Sequence, residues 1–354
     1  MRSVIAAFVL TRLGLVVAGM SAPLFLALPA GVAQVGPPLL AMWVRWDGPI
    51  YITLAQSGYF VREAVPVTAF FPLYPLLMQV LTFFSANREL LALAGVVISN
   101  VALLAAMAYV VALGRLDFDR STGERAALYY LVAPTTLFLS AVYSESLFLA
   151  LSVASFYHAR RGQLALAGGL GFLAALTRPY GVLLAVPIAI EAWRRKRLPT
   201  WALVPGLAIP LFFGWLWLTI GDPLAFFRGQ DYFGRQISAP GWGFVAYLEH
   251  QWSVFGPSYG VLDLVASVVL IGLSVVAIRR LPLSYGALAG FMTLLLLMSN
   301  HLASMPRYAL TVFPVFFVLA QWGSDHRFHR LLVTVSIVLG LLAMARFAQW
   351  HWVA

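Results

Sequence analysis

The sequence predicts an all-α polytopic membrane protein. Hydrophobic residues fill 62% of the 354 positions and charged residues 10%, too little charge to cover the surface of a soluble domain. Solidly apolar runs of roughly twenty residues recur along the chain, the length of a bilayer-crossing helix. Their solid character also argues against a transmembrane β-barrel, whose strands alternate polar and apolar residues.

The run 3–28 is read as a first helix and not as a signal peptide, because Arg12 interrupts its apolar stretch and its length suffices to span. Residues 29–89 form an outer loop. Within it, Pro72–Ala86 is apolar but short, and its early prolines suit a helix start, so it is assigned as an interfacial helix. Ten further spans follow, at about 90–113, 126–142, 145–159, 163–177, 180–192, 200–220, 258–278, 282–298, 308–322 and 331–349, for about eleven in all. A second large outer loop occupies 221–256. The whole chain reads as a single transmembrane domain.

Arginine greatly outnumbers lysine in a chain of formal charge +10. In a soluble protein such a balance would raise nucleic acid as a partner. Here the basic residues gather in short inter-helix turns: Arg115, Arg120 and Arg125; Arg160-Arg161; Arg194-Arg195-Lys196-Arg197; Arg279-Arg280; Arg327 and Arg330. All fall on one side of the assigned path, as cytoplasmic anchors do. The N-terminus then lies in the cytoplasm of a cell with this protein in its plasma membrane. Treating 72–86 as a true span would send the 194–197 cluster outside. The absence of cysteine excludes disulfides and thiol chemistry.

The same path gathers Asp47, Glu63, Glu145, Arg178, Asp222, Asp231, His301 and Arg307 on the outer side. Asp47 sits in a loop with Trp43, Trp46 and Tyr51 near it in sequence. Aromatic neighbours that desolvate a carboxylate suit it to act as a base; a loop acid paired with Arg45 is the plainer alternative. Glu145 follows Tyr143-Ser144, where it is either a first-turn acid behind a Ser144 cap or a second carboxylate that orients substrate or the surroundings of Asp47. Arg178, beside Pro179-Tyr180, and Arg307, beside Tyr308, run against the positive-inside bias. They are candidates to bind an anion such as phosphate, with snorkelling to headgroups as the alternative. His301 has no HxxH or HxxE partner, and His326 and His329 lie in a basic turn on the inner side. No metal site is assigned and no cofactor is indicated; a divalent cation is left open but not indicated by the sequence. Nucleotide-binding and serine-nucleophile motifs are absent.

In order, Trp46-Asp47-Gly48, Gly58-Tyr59, Phe70-Phe71-Pro72-Leu73-Tyr74-Pro75, Asn100, Pro134, Tyr143-Ser144-Glu145-Ser146-Leu147-Phe148 and Arg178-Pro179-Tyr180-Gly181 resemble the GPI mannosyltransferase II (phosphatidylinositol-glycan class V) family, with Arg307-Tyr308 and Pro314 similar to its C-terminal signature. The resemblance implies a fold of the GT-C glycosyltransferase type and transfer of a sugar, mannose by implication, from a polyprenyl-phosphate carrier to a lipid or glycan acceptor on the extracytoplasmic face. Asp47 then matches the first-loop catalytic acid. The short chain, the lack of Cys and a 221–256 loop that is small for the family point to a prokaryotic member. GT-C enzymes often carry two adjacent acids here; this chain has Asp47 alone, with Glu63 nearest in sequence. Asp47 and Glu145 are expected in the catalytic role, and Trp46, Tyr143, Arg178, Tyr180, His301, Arg307 and Tyr308 in donor or sugar binding. A multi-pass lipid or glycolipid transporter is the competing class, although no internal repeat supports it.

Overall fold

The computed structural model describes residues 1–32, 36–60, 67–250 and 260–354. Seventeen α-helices run through the described residues, and an isolated β-bridge joins Ile237 and Ser299. In order they are α1 Arg2–Ser21, α2 Pro38–Ala41, α3 Asp47–Ser57, α4 Leu73–Leu81, α5 Arg88–Asp117, α6 Arg120–Val132, α7 Glu145–Arg160, α8 Leu164–Ala175, α9 Ala185–Arg194, α10 Ala208–Ile220, α11 Ala225–Tyr232, α12 Trp242–Glu249, α13 Val261–Arg280, α14 Leu283–Leu296, α15 Met305–Tyr308, α16 Pro314–Trp322 and α17 His326–Ala348. Five segments are long and apolar enough to cross a bilayer: Arg2–Leu24, Arg88–Asp117, Thr200–Ile220, Val261–Arg280 and His326–Ala348. The protein is a multi-pass membrane protein. Among the other expected spans, α8 and α14 are shorter apolar helices.

Helix ends follow local chemistry, and this moves several expected boundaries. Asn87 caps α5 by accepting from Glu89 N (2.9 Å) and Leu90 N (3.0 Å). Asp119 accepts from Thr122 N (2.8 Å) and starts α6 at Arg120, six residues before the expected start. Pro134 holds the preceding Ala133 in an extended conformation, so α6 stops at Val132 and not near 142. Asp325 caps α17 through Arg327 N and Phe328 N. The interfacial assignment for 72–86 meets a nine-residue helix, α4. At about 1.5 Å per residue it reaches less than half of a bilayer core of about 30 Å. The link expected at 114–124 reduces to Phe118 and Asp119 between α5 and α6.

Cross-chain contacts sort the helix ends into two groups. At one end, the amino group of Met1 meets Glu124, Arg160 bridges Asp117 (2.6 Å) and Glu191 (2.6 Å), Tyr285 donates to Asp117 (2.7 Å), Tyr129 bonds His329 (2.9 Å) and Arg125 donates to the Ala320 carbonyl. At the other, Val142 N–H donates to the Trp43 carbonyl (3.1 Å) and Arg45 to Ala348 O (2.9 Å). The basic turns assigned to one side of the bilayer are the ones that meet in the first group.

Arg12, which breaks the apolar pattern of α1, is buried. Its NH2 donates to the Leu131 carbonyl (3.0 Å) and Thr136 Oγ1 (2.8 Å), and its NH1 to Ser140 Oγ (2.9 Å). Leu131 lies in the last turn of α6, whose carbonyls have no intrahelical partner. The guanidinium therefore caps one helix while docking another.

Candidate active site

The site is built on the buried turn Ser140–Ser144. Ser99 on α5 donates to the Ala141 carbonyl (2.8 Å), and Tyr74 on α4 bonds Ser99 (2.9 Å), so two helices fix this turn from behind. Tyr143 Oη donates to the Arg45 carbonyl (3.1 Å) and accepts from Asp47 N–H (3.2 Å). Tyr51, one turn along α3, shares a hydrogen bond with Ser144 Oγ (2.7 Å). Asp47 is thus placed by backbone and by helix. It is the first residue of α3 and not a loop acid, and Trp46 before it has φ 51°, a left-handed conformation that a tryptophan holds only under constraint. Negative charge is favoured at a helix N-terminus.

Four residues expected on one side converge into one ionic cluster. Arg307 NH1 donates to Asp47 Oδ2 at 2.6 Å, and its Nε lies 3.5 Å from Glu145 Oε1. Arg178 forms an ion pair with the same Glu145 oxygen, donates from Nε to Ser144 Oγ (3.0 Å) and from NH1 to Tyr180 Oη (2.6 Å). Glu145 is completely buried, whereas the Asp47 side chain is 20% exposed. Among the described residues Asp47 Oδ1 has no hydrogen-bond partner. Ser144 makes no capping bond to α7; its hydroxyl serves Tyr51 and Arg178 instead.

This geometry corrects two expectations. Asp47 does not stand free among aromatics or pair with Arg45. Arg45 is buried and donates to the Ala348 carbonyl, and the Trp46 ring packs edge-on against Trp350 and Trp352. Nor are Arg178 and Arg307 free cations: each is matched to a carboxylate.

The cation that sequence reasoning missed is Arg235, from the second outer loop after α11. It hydrogen-bonds Tyr308 Oη, lies over the Tyr308 ring at 4.8 Å, and has no carboxylate within ion-pair distance among the described residues. Tyr308 also accepts from Arg307 (2.9 Å). Tyr308 thus links Arg235 to Arg307 and, through it, to Asp47. The signal available in sequence was a basic residue in an aromatic outer loop, against the positive-inside bias.

His301 is buried behind Arg235, and its Nδ1 accepts from Ala303 N–H (3.2 Å). Burial, together with the charge of Arg235, pushes it down to about 4, so it is neutral at pH 7. Asp263 on α13 accepts from Met305 N–H (3.1 Å) and holds the turn that carries Arg307, where Ser304 has φ 67°. Asp222 pairs with Arg228 within its own loop, and Asp231 accepts from Gln236 at 3.5 Å; neither joins the cluster. Glu63 lies outside the described residues. Among the described residues no three His, Asp or Glu side chains group as metal ligands.

A family profile described as "Mannosyltransferase (PIG-V)" matches residues 14–190, half of the chain. The chain belongs to this family. The matched half carries Asp47, Tyr143, Glu145, Arg178 and Tyr180; Arg235, Arg307 and Tyr308 come from the other half. GPI mannosyltransferase 2 of Yarrowia lipolytica is 27% identical over 153 residues, 43% of this chain and 41% of that protein. Its Chaetomium globosum counterpart is 29% identical over 196 residues, 47% of this chain and 41% of that protein. The chain therefore spans well under half the length of either relative it matches. Among solved structures, ArnT from Cupriavidus metallidurans, crystallised with undecaprenyl phosphate, superposes with a TM-score of 0.53 at 15% identity, covering 97% of this chain and 76% of that one. This PIG-V family chain thus shares the fold of ArnT.

Proposed function

We propose that the protein is an inverting glycosyltransferase that moves a sugar, mannose by family, from a polyprenyl-phosphate carrier to an acceptor hydroxyl on the extracytoplasmic face of the plasma membrane. The observation that carries this reading is the carboxylate of Asp47 held on Arg307 with its second oxygen open, in a cluster that Tyr308 extends to Arg235, a guanidinium with no carboxylate within ion-pair distance among the described residues. The ArnT structure, bound to a polyprenyl phosphate, and the mannosyltransferase family both support it.

In this reading Asp47 Oδ1 takes the proton of the acceptor hydroxyl as that oxygen attacks the anomeric carbon. The bond from that carbon to the phosphate oxygen breaks, and the phosphate leaves with the bonding electron pair. Charge moves from the acceptor to the phosphate through an oxocarbenium-like state. Fixed donors aimed at the departing oxygen lower that barrier without reorganising. Arg235 is the donor to that phosphate, and Arg307 keeps Asp47 in place. Glu145 acts through the two arginines it anchors and touches no substrate. Trp46, Tyr143, Tyr180, Tyr308 and His301 shape the cleft. The basic end faces the cytoplasm, with the N-terminus there. The whole chain, with its outer loops at 29–89 and 221–256, acts as one catalytic domain. The transporter alternative gains nothing, since the paired carboxylates gather at helix ends and not around a mid-membrane path.

The deciding experiment is a transfer assay with labelled polyprenyl-phosphate-mannose and a panel of acceptors, comparing wild type with Asp47→Asn. The substitution keeps the shape and one acceptor oxygen for Arg307, so the protein should be produced and folded but inactive. Full activity in Asp47→Asn would remove the assignment of the base.

A further inference from the structure

At the end of the molecule opposite the carboxylate cluster, a cavity of about 500 Å³ opens between the α7–α8 turn and the segment that follows α9. Gln163, Arg197 and Thr200 supply its polar lining, and Leu166, Leu198 and Trp201 its apolar side. The Arg195 guanidinium packs over Gly162, which also lines the cavity and has a φ of 75°; a side chain there would meet that guanidinium. Arg195 donates to the Arg160 carbonyl and Arg197 to the Gly162 carbonyl (3.4 Å), so the basic run is pinned to the cavity wall.

Glu191, the nearest acid of this group, is already shared by Arg160 and Arg194. Arg161, Arg195, Lys196 and Arg197 have no carboxylate within ion-pair distance among the described residues. Of these, Arg197 lines the open concavity and Arg195 packs over its Gly162, while Arg161 and Lys196 lie beside them in sequence. The border of the concavity is apolar: Leu198 is 79% exposed and Trp193 76%. Leu203, Leu207 and Leu211 continue the exposed surface away from the cavity at helical spacing, on a segment that packs against α8.

We propose that this cavity binds the headgroup of an anionic phospholipid. Cations close to a membrane surface attract acidic lipids, and basic pockets between helices on the cytoplasmic side accept their headgroups. A bidentate guanidinium fits the phosphate, Gln163 and Thr200 face the glycerol or headgroup hydroxyls, and the leucine stripe accepts an acyl chain. A ring of solvated anchors would serve orientation equally well without a cavity, so the comparison that matters is with another basic turn at the same end. The site is independent of the transferase reading, and its test does not measure transfer.

The test is native mass spectrometry of the whole purified protein, equilibrated with mixed micelles of phosphatidylglycerol and phosphatidylcholine. Wild type should retain phosphatidylglycerol selectively. Lys196→Gln with Arg197→Gln should weaken retention by about fivefold per charge, while Arg279→Gln with Arg280→Gln should leave it unchanged. Ala165→Phe, which fills the cavity and keeps every charge, should also reduce retention, and this guards against misreading a misfolded charge variant. Equal loss from both basic turns, or full retention in Ala165→Phe, would overturn the proposal. Displacement of the lipid by millimolar glycerol phosphate would overturn it as well, by making the ligand a soluble phosphate.

Discussion

Arg307 donates to Asp47 at 2.6 Å across 260 positions of the chain, and the same guanidinium reaches the fully buried Glu145. One side chain thus joins the half-buried carboxylate of Asp47 to the fully buried one of Glu145, and under the proposed function only the first meets substrate.

Glu145→Gln should therefore behave unlike Asp47→Asn. It leaves the buried Arg178 guanidinium without its counter-charge and Arg307 with Asp47 alone. Breaking a buried pair from one side costs about 3–5 kcal/mol. The expected outcome is a marked fall in apparent Tm and in yield, measured by thermal shift in detergent. A variant as stable as wild type would show that the buried charges are compensated elsewhere.

Arg235→Gln should spare the fold, because Arg235 is only partly buried and pairs with no acid. Loss of a charge-assisted contact of about 1.5–3 kcal/mol predicts a 10- to 100-fold drop in kcat/KM for the polyprenyl-phosphate donor. KM for the acceptor should not move. A loss confined to the acceptor would place Arg235 on the other substrate.

The cysteine-free sequence makes sidedness directly readable. Ile237→Cys stands beside the cluster, and Lys196→Cys stands at the basic end. An impermeant maleimide should label the first in intact cells and the second only after permeabilisation. The reverse pattern would invert the assigned orientation.

His301 should give the protein an acid-sensitive component of stability. Its pKa falls from 6.5 to about 4 on folding. Between those values the unfolded chain binds more protons than the folded one, so stability drops as pH is lowered through that window and is fully present above it. The component amounts to at most about 3 kcal/mol. Apparent Tm followed from pH 7 to pH 4 should fall less steeply in His301→Gln than in wild type. Parallel curves would mean that the imidazole charges without penalty.

That Asp47, Glu145, Arg178 and Arg307 lie at the same end of the helices was legible because apolar run lengths and basic turns indicate which helix ends lie together. Their pairing was not. Nothing in the pattern around Arg307 distinguishes a free cation from one shared by two acids, and Glu145 reads equally as a surface first-turn residue. α3 was hidden because it begins abruptly after the left-handed Trp46 and is only 11 residues long. α6 was mis-started because its first two turns, Arg120 to Arg125, are polar and fall outside any apolar window; the Asp119 cap was the missing cue. Arg235 lay in a loop whose two short helices, α11 and α12, carry no span-length signal.

The anchoring of Arg12 bears on the order in which the protein is made. An arginine near the middle of a lone helix in lipid costs about 2.5–3.5 kcal/mol on insertion scales. Its partners here are Leu131, Thr136 and Ser140, which leave the ribosome more than a hundred residues later. Until then these three partners are absent from the bilayer. The final seating of α1 is consequently a late event of biogenesis, coupled to the arrival of the Ser140–Ser144 turn on which Asp47 is mounted.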